Sequence, residues 1–265
     1  MPTELSPHNP RIEAVRDLRT PRGRRAGHRF TAEGPTLLEE AERTGLRPLE
    51  IYATQAGLGR FDPGRLETGG TAIYLVSDRV FARLSDLETP TGILAVFDLP
   101  GRTVAEVLAR DGPVLLLAGV SDPGNAGTLV RSAEAFGAAG VLFGRGGADP
   151  FAPKVVRAAM GSLFRLPVAV VEPDELLAAA AAAGRPVVAA DVDGEDLAVA
   201  RIPPNAVLAI GNERRGVRDW LPSWDRAVRI PQREAADSLN AAVAGSIVLY
   251  EAARCQEPCQ VAEKR

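Results

Sequence analysis

From residue 113 to the C-terminal helix, short apolar runs alternate with stretches of helical periodicity. The runs are VLLLAGV, GVLFG, PVAVV, PVVAA and AVLAIG, followed by a shorter AVRI. Each run is apolar on both faces, which is typical of a parallel strand covered by helices on both sides. The pattern predicts an α/β fold with a parallel sheet, in which residues 174–184, DELLAAAAAAG, form an Ala-rich helix ended by Gly184.

A smaller set of elements precedes this sheet. Residues 29–99 contain FTAEG, a helical pattern from Leu37 to Arg43, and then LEIYAT, AIYLV and GILAVF. This order predicts a small α/β domain. Because the turn signals DLPG and DGP lie between Asp98 and Gly112, we place the boundary near Arg110 and predict two domains, residues 1–110 and 111–265.

The composition narrows the classes of protein. With 46% hydrophobic residues in 265, the chain can bury well-formed cores. No apolar run reaches the length of a membrane span, and the charged first thirty residues are unlike a signal peptide, so we expect a cytoplasmic protein with no membrane partner. The only cysteines, Cys255 and Cys259, lie far from the only histidines, His8 and His28, so we expect free thiols and no metal site.

Charge is distributed unevenly along the chain. The formal net charge of −3 argues against non-specific coating of nucleic acid. Between residues 11 and 29, however, seven arginines and two acidic residues give a local charge of +5. Such a cluster can neutralise phosphates, and a solvated basic arm without a partner is the alternative. We predict RNA contacts from Arg22, Arg24, Arg25 and Arg29.

Three loops that follow apolar strands carry candidate chemistry, because ligands bind beyond the carboxyl ends of strands in doubly wound sheets. They are SDPGNAGTLVRSAEAFG at residues 121–137, GNERRG at residues 211–216, and PQREAADSLNAAVAGSIVLYEAAR at residues 231–254. The glycines of the second loop suggest a backbone that approaches a ligand closely. Each loop also has an ordinary explanation, since GNERRG is an acceptable turn and Ser238 or Asn240 suits the N-cap of the last helix.

In the first loop, Arg131 occupies an unusual position. Leu129, Ala133 and Phe136 mark the buried stripe of the predicted helix, and Arg131 falls off this stripe within the first two turns. A cation there opposes the helix dipole, so an anionic partner such as RNA phosphate explains the residue better than helix stability does. A surface arginine whose stem covers apolar surface is the alternative.

Taken together, NAGTLVRSA, IGNERRG and IPQREAADSLNAAVA, in this order and spacing, resemble the three signature motifs of the SpoU/TrmH family of the SPOUT superfamily. The likeness covers residues 113–254, and RRAGHRFTAEGPTLLEEA with LSDLETPTGILAVF resembles the N-terminal substrate-binding domain of many members. The resemblance implies a ribosomal-protein-like α/β RNA-binding domain followed by a catalytic domain whose parallel sheet is threaded into a trefoil knot.

The resemblance further implies an S-adenosylmethionine-dependent enzyme that methylates a ribose 2′-hydroxyl of structured RNA, with ribosomal RNA as the expected substrate. It also implies a homodimer formed through the knotted domain, in which the arginine of one subunit works beside the cofactor of the other. The implied cofactor contacts are Ile210, Gly211, Ile230 and Leu239, and the implied catalytic residues are Asn125, Arg131, Glu213, Ser238 and Asn240.

Several alternatives stay open on the sequence. Family proposals make Arg131 the base, but an arginine pKa above about 12 favours a phosphate clamp that polarises the hydroxyl. Transfer RNA is the alternative substrate, and a non-catalytic RNA-binding protein of the same fold is the alternative from another class, although every motif residue is present. GRGGAD at residues 144–149 lacks the glycine spacing of a dinucleotide-binding loop, which disfavours an oxidoreductase. Housekeeping and antibiotic-resistance methylation are not distinguished.

Overall fold

The computed structural model describes residues 2–61, 70–212, 214–233 and 238–254. The chain forms two compact units, one of residues 1–100 with 151–165 and the other of residues 101–150 with 166–265. The segment 151–165 therefore belongs to the first unit, although it lies within the sequence of the second. The domain boundary near residue 110 stays a prediction.

The first unit is built on a mixed sheet of five strands. Its elements are β1 (Thr3–Glu4), α1 (Pro10–Asp17), α2 (Pro21–Gly27), β2 (Arg29–Glu33), α3 (Pro35–Thr44), β3 (Glu50–Ala53), α4 (Gln55–Leu58), β4 (Ala72–Leu75), α5 (Asp78–Leu84), β5 (Ile93–Asp98) and, from the later segment, α8 (Pro153–Ala158) with a 3-10 turn at Ser162–Phe164. The strand order is β1-β4-β3-β5-β2, and β5 runs antiparallel to both β2 and β3. The predicted small α/β domain is confirmed.

The basic segment before β2 is folded into helices and is not an extended arm. Asn9 caps α1 by accepting a hydrogen bond from the amide of Arg11, and Thr20 caps α2 by accepting one from the amide of Gly23. A proline follows each cap at the start of the helix, where its missing N–H leaves no intrahelical bond unmade. Two short helices therefore hold five of the seven arginines, whereas Arg19 lies between the helices and Arg29 begins β2.

The second unit is built on a parallel sheet of six strands. Its elements are α6 (Val104–Leu108), β6 (Val114–Ala118), α7 (Pro123–Ala135), β7 (Gly140–Gly144), β8 (Val168–Val171), α9 (Pro173–Ala182), β9 (Val187–Asp196), β10 (Val207–Gly211), β11 (Arg226–Arg229) and α10 (Ala241–Arg254). The order is β11-β9-β10-β6-β7-β8, with every pair parallel. The predicted parallel sheet is confirmed, and its threading into a knot stays a prediction.

The centre of this sheet is covered on both faces. Every residue of β6 and β7 is buried, as are the first four residues of β10. Because side chains alternate along a strand, Ala209 faces the core shared with α6 and α9, whereas Ile210 faces α10. Burial on both faces explains why these strands appear in the sequence as continuous apolar runs.

A buried arginine joins the start of this unit to its sheet. Arg185 is 7% exposed, and its guanidinium donates hydrogen bonds to the carbonyls of Leu108, Arg110, Gly112 and Asn205, at 2.6 Å for Leu108. Burial lowers the pKa of this guanidinium from its usual value. The cation is tolerated there because the planar fork reaches several carbonyls at once.

We expect Arg185→Lys to lower the free energy of unfolding by about 2–3 kcal/mol, because one ammonium group cannot reach all four carbonyls and leaves buried acceptors unpaired. Urea denaturation followed by circular dichroism measures the change. Arg201→Lys, at an exposed position of the same unit, is the matched control and should stay within about 0.5 kcal/mol of the wild type. Equal midpoints for the two variants would contradict this role of Arg185.

Candidate active site

A cavity of about 1010 Å³ opens at the carboxyl ends of β6, β7 and β10. In parallel α/β sheets this edge is where ligands bind, and the volume lies at the upper end of the roughly 300–1,000 Å³ of small-molecule sites. Its lining consists of Ala118, Gly119, Ser121, Asp122, Asn125, Arg145, Gly146, Asn212, Arg214, Arg215, Gly216, Asp219, Trp220 and Asn240. Position and size make this cavity the candidate active site.

The first wall of the cavity is the start of α7. Asp122 caps the helix, since its Oδ1 accepts a hydrogen bond of 2.7 Å from the amide of Asn125, and Pro123 occupies the first helical position. The cap turns the first loop sharply after β6 and fixes the backbone of Asn125. The Oδ1 atom of Asn125 accepts a hydrogen bond of 2.9 Å from Nδ2 of Asn240.

Asn240 is also the N-cap of α10, which confirms one of the two candidate caps. Its Oδ1 accepts hydrogen bonds from the amides of Ala242 at 2.8 Å and Val243 at 3.3 Å. Further along, the hydroxyls of Ser132 on α7 and Ser246 on α10 lie 2.7 Å apart. The asparagine pair therefore joins the first turns of two helices that run side by side in the same direction.

A glycine on α10 allows this close packing. A Cβ on Gly245 would lie 2.3 Å from Cδ2 of Leu129 on α7 and 3.1 Å from Cγ1 of Ile210 on β10. The small-residue start of the last helix thus packs against the chain's own sheet and helix. Ile210, an implied cofactor contact, is buried in this packing and is not among the residues that line the cavity.

The second wall is the loop that follows β10. A Cβ on Gly211 would lie 2.1 Å from the carbonyl carbon of Gly216, so only glycine permits this turn to close. The amides of Gly216 and Arg214 donate to the backbone oxygen and to Oδ1 of Asn212, at 2.8 and 3.0 Å. The sequence suggested a glycine that approaches a ligand, but the close neighbour of Gly211 is the loop's own backbone.

An indole ring lies across the ends of β6 and β7. A Cβ on Gly144 would lie 2.6 Å from Cε2 of Trp220, and a Cβ on Gly119 would lie 3.5 Å from its Cβ. The Nε1 atom of Trp220 donates a hydrogen bond of 2.9 Å to the backbone oxygen of Arg145. The indole ring therefore leaves no room for a side chain at Gly144. Its hydrogen bond joins the loop after β7 to the segment that follows the loop after β10.

Arg218 fixes the segment that carries Trp220 to β9. Its guanidinium donates to Asp191 at 3.0 Å and to Asp193 at 3.1 Å, and it lies over the ring of Trp224. The hydrogen bond from Arg218 holds the pKa of the Asp191 carboxyl below its usual value and raises the pKa of Arg218. Both shifts favour the charged pair.

Three arginines and two aspartates are among the residues that line the cavity. Arg145 is paired with Glu172, and Arg215 lies 3.4 Å from Asp219. Arg214 is exposed, and within the part of the chain that the structure describes its guanidinium forms no hydrogen bond or ion pair. Among the described residues, Arg214 is therefore the lining arginine without an ion pair.

The structure brings together only part of the predicted site. Asn125 and Asn240 line the cavity, whereas Gly211 lies directly before it in β10. The other implied residues with described positions, none of them in the cavity lining, are Ile210, Ile230, Ser238, Leu239 and Arg131. Glu213, Cys255 and Cys259 lie outside the described residues.

The dipole argument for Arg131 is wrong. α7 begins at Pro123, so Arg131 is the ninth of thirteen helical residues and lies past the middle, where the dipole has little effect. Its side chain is exposed. Phe136, predicted to be buried, is half-buried and packs edge-on against Tyr250 with ring centroids 5.7 Å apart.

The basic cluster before β2 divides into buried and exposed members. Arg24 is 2% exposed, and its Nη1 donates a hydrogen bond of 2.8 Å to the carbonyl of Leu18, so it supports the packing of the two helices instead of facing RNA. Arg22 and Arg25 are exposed. Arg29 is half-buried, with Nη1 3.8 Å from Oε1 of Glu50.

Apart from Ala118 and Gly119, which end the apolar run before the first loop, sequence reasoning missed four residues of the lining, namely Arg145, Gly146, Asp219 and Trp220. The sequence did contain a signal for Arg145 and Gly146. They follow the apolar strand GVLFG, and ligands bind beyond the carboxyl ends of such strands. For Asp219 and Trp220 no local pattern marks a site.

Two further observations concern the described part of the chain. No helix there is long and apolar enough to cross a membrane. No group of three or more His, Cys, Asp or Glu side chains among these residues is placed to hold a metal ion.

Comparison with protein families yields two matches. The profile of the SpoU rRNA Methylase family matches residues 112–250, and that of the MRM3-like substrate binding domain matches residues 9–95. The two matches follow the predicted order of a substrate-binding domain and a catalytic domain.

Individual relatives align over most of their length. The chain is 33% identical over 249 residues to "23S rRNA (guanosine(2553)-2'-O)-methyltransferase RlmP" of Bacillus subtilis, covering 92% of this chain and 96% of the relative. It is 37% identical to "23S rRNA (uridine(2479)-2'-O)-methyltransferase" of Streptomyces viridochromogenes, covering 77% and 75%. A crystal structure of AdoMet-bound rRNA methyltransferase from Sinorhizobium meliloti superposes with a TM-score of 0.84 at 29% identity, covering 97% of this chain and 99% of the other.

Because the family profile spans more than half of the sequence, the chain belongs to the SpoU rRNA methylase family.

Proposed function

We propose that this chain transfers the methyl group of S-adenosylmethionine to a ribose 2′-hydroxyl of ribosomal RNA. The observation that carries the proposal is the cavity itself, because three loops of the family motifs meet there at the carboxyl ends of β6 and β10 and the start of α10. Relatives that align along most of this chain are named as 23S rRNA 2'-O-methyltransferases, which favours ribosomal over transfer RNA.

The cavity fits the cofactor by size and by lining. Gly146 and Gly216 line it with φ of +87° and +67°, and a Cβ at either position would meet no atom within 4 Å. The space beside both glycines is therefore available to a ligand, whose polar groups can bind the exposed backbone. When bound, S-adenosylmethionine supplies a methyl group activated by its sulfonium. Direct contacts from Ile210, Gly211, Ile230 and Leu239 stay predictions.

The protein's part in the reaction is to place the hydroxyl and assist loss of its proton. Nδ2 of Asn240 uses one of its two N–H bonds on Asn125, and we propose that the other holds the ribose. The capped helix start fixes this amide. Glu213 and Ser238 are proposed as further contacts, on the motif resemblance alone.

We propose that Arg131 acts at the cavity of a partner subunit. It is exposed and is not among the residues that line the cavity of its own chain. On neighbouring α10, Val243, Ile247 and Tyr250 form an apolar stripe at helical spacing, with Val243 48% and Tyr250 52% exposed. A second copy of the chain that covers this stripe would bring each Arg131 towards the other subunit's cavity.

The first unit is proposed to hold the RNA through Arg22, Arg25 and Arg29, in the cytoplasm. The match of residues 9–95 to a substrate-binding domain supports this role. We remove Arg24 from the proposed RNA surface, because its guanidinium is buried and hydrogen-bonded within the unit.

Incubation of the purified protein with tritiated S-adenosylmethionine and unmodified RNA should label ribosomal RNA at a single ribose and leave transfer RNA unlabelled. Primer extension at low deoxynucleotide concentration maps the 2′-O-methyl group. If only transfer RNA is labelled, transfer RNA is the substrate and the proposal of ribosomal RNA is wrong. Tight RNA binding without any transfer would identify a non-catalytic RNA-binding protein.

For the cofactor we expect Gly216→Val to weaken binding of S-adenosylmethionine at least about tenfold, because the side chain fills the cradle and strains a left-handed backbone. Gly137→Val is the matched control, since Gly137 also has a positive φ, +72°, and open space but lies outside the cavity lining. Calorimetry should show lost binding only for the first variant. Equal losses would place the cofactor elsewhere or attribute the effect to backbone strain.

The position of Arg131 predicts complementation between two inactive variants. Arg131→Ala removes the arginine, and Gly216→Val removes cofactor binding. If Arg131 acts at the partner's cavity, an equal mixture of re-associated subunits should regain about a quarter of wild-type activity, because half of the dimers are mixed and each holds one complete site. A mixture as inactive as its components would place the arginine in its own subunit's site.

A second variant tests the chemical role of Arg131. If the activity of Arg131→Lys rises with pH, the residue acts as a base and not as a phosphate clamp.

A further inference from the structure

Arg214 differs from the two other arginines at the cavity. Arg145 is neutralised by Glu172, and Arg215 lies near Asp219. In the described part of the chain the guanidinium of Arg214 has no such partner, although it lines the same cavity. An exposed guanidinium that is not held in an ion pair is available to bind an incoming anion.

The backbone that carries Arg214 is held in place. Its amide donates to Oδ1 of Asn212, and the loop closes through the hydrogen bond from Gly216 to the backbone oxygen of Asn212. Nδ2 of Asn212 lies 3.4 Å from the hydroxyl of Ser121 on the opposite wall. The backbones of Gly211 and Gly216 approach closely at the base of this loop. These hydrogen bonds position the backbone of Arg214 at the rim, and its side chain is exposed.

The chemistry of the substrate supplies an anion at this point. In RNA, the carbon that bears the 2′-hydroxyl is bonded to the carbon that bears the 3′-phosphodiester. A ribose placed for methylation in this cavity therefore brings a phosphate with it, within reach of a long side chain on the rim. Guanidinium groups bind phosphate oxygens through parallel N–H bonds, which fixes orientation as well as charge.

We propose that Arg214 binds the backbone phosphate next to the methylated nucleotide and so places the ribose at the cavity. This inference rests on the proposed function. Arg214 is then a substrate-binding residue, distinct from Arg131, which lies on α7 outside the cavity lining. The carboxylate of S-adenosylmethionine is a second anion that a guanidinium at this position could bind. The experiments below distinguish it from the RNA phosphate.

The test compares Arg214→Ala and Arg214→Lys with Arg201→Ala, an exposed arginine of the same unit that lies outside the lining. RNA affinity is measured against salt with an in vitro transcript of large-subunit ribosomal RNA. Arg214→Ala should weaken binding about tenfold and reduce the slope of log affinity against log salt by about 0.7–0.9, the value of one phosphate contact. It should raise KM for RNA more than it lowers kcat. Arg214→Lys should recover part of the affinity, and Arg201→Ala should match the wild type.

Calorimetry with S-adenosylmethionine and with 5′-methylthioadenosine, which lacks the amino-acid part, separates the two anions. Unchanged affinity of Arg214→Ala for both compounds supports the proposal. A loss for S-adenosylmethionine alone would assign the arginine to the cofactor's carboxylate and overturn it, as would RNA binding equal to that of Arg201→Ala. If the wild type binds RNA but transfers no methyl group, the proposed function fails, while the salt slopes still decide whether Arg214 contacts phosphate.

Discussion

The pairing of β10 with β6 is the constraint on which the site depends. Five consecutive residue pairs, from Val207 opposite Val114 to Gly211 opposite Ala118, join segments far apart in the sequence. Because alternate side chains of β10 pack against different partners, a shift of one residue would exchange the groups that face α10 with those that face α6 and α9 and disrupt both packed surfaces. This register starts the two main loops of the cavity side by side.

The polar contacts at this edge refine the geometry that the sheet provides. Asn125 with Asn240 and Trp220 with Arg145 each join two elements across the cavity. A single hydrogen bond of this kind contributes about 1 kcal/mol, far less than the burial of the strands. Loss of one contact is therefore expected to displace a loop or a side chain while the sheet persists, so that site variants can be interpreted through binding and turnover.

The arginines of this chain fall into two groups, those that bind other groups within the fold and those that are exposed. Many arginines of this chain are used within the fold, as Arg185 is on backbone carbonyls and Arg218 is on Asp191 and Asp193. Arg22 and Arg25 in the first unit and Arg214 at the cavity are exposed. The proposed RNA contacts of a chain with a net charge of −3 thus rest on a few local cations, an arrangement that disfavours non-specific binding elsewhere on its surface.

The sequence by itself determined the parallel sheet, because strands covered on both faces must be apolar throughout, and it limited the cap of the last helix to Ser238 or Asn240. It also placed Asn125 at the right edge, since loops after such strands meet there. Only the tertiary structure decided that Arg24 is buried among otherwise similar arginines, that Gly211 closes its own loop, and that Arg145 and Trp220 line the cavity. Periodicity records which face of an element is covered, a local property. Which loops meet depends on strand order and register, which are set by contacts between residues distant in the chain.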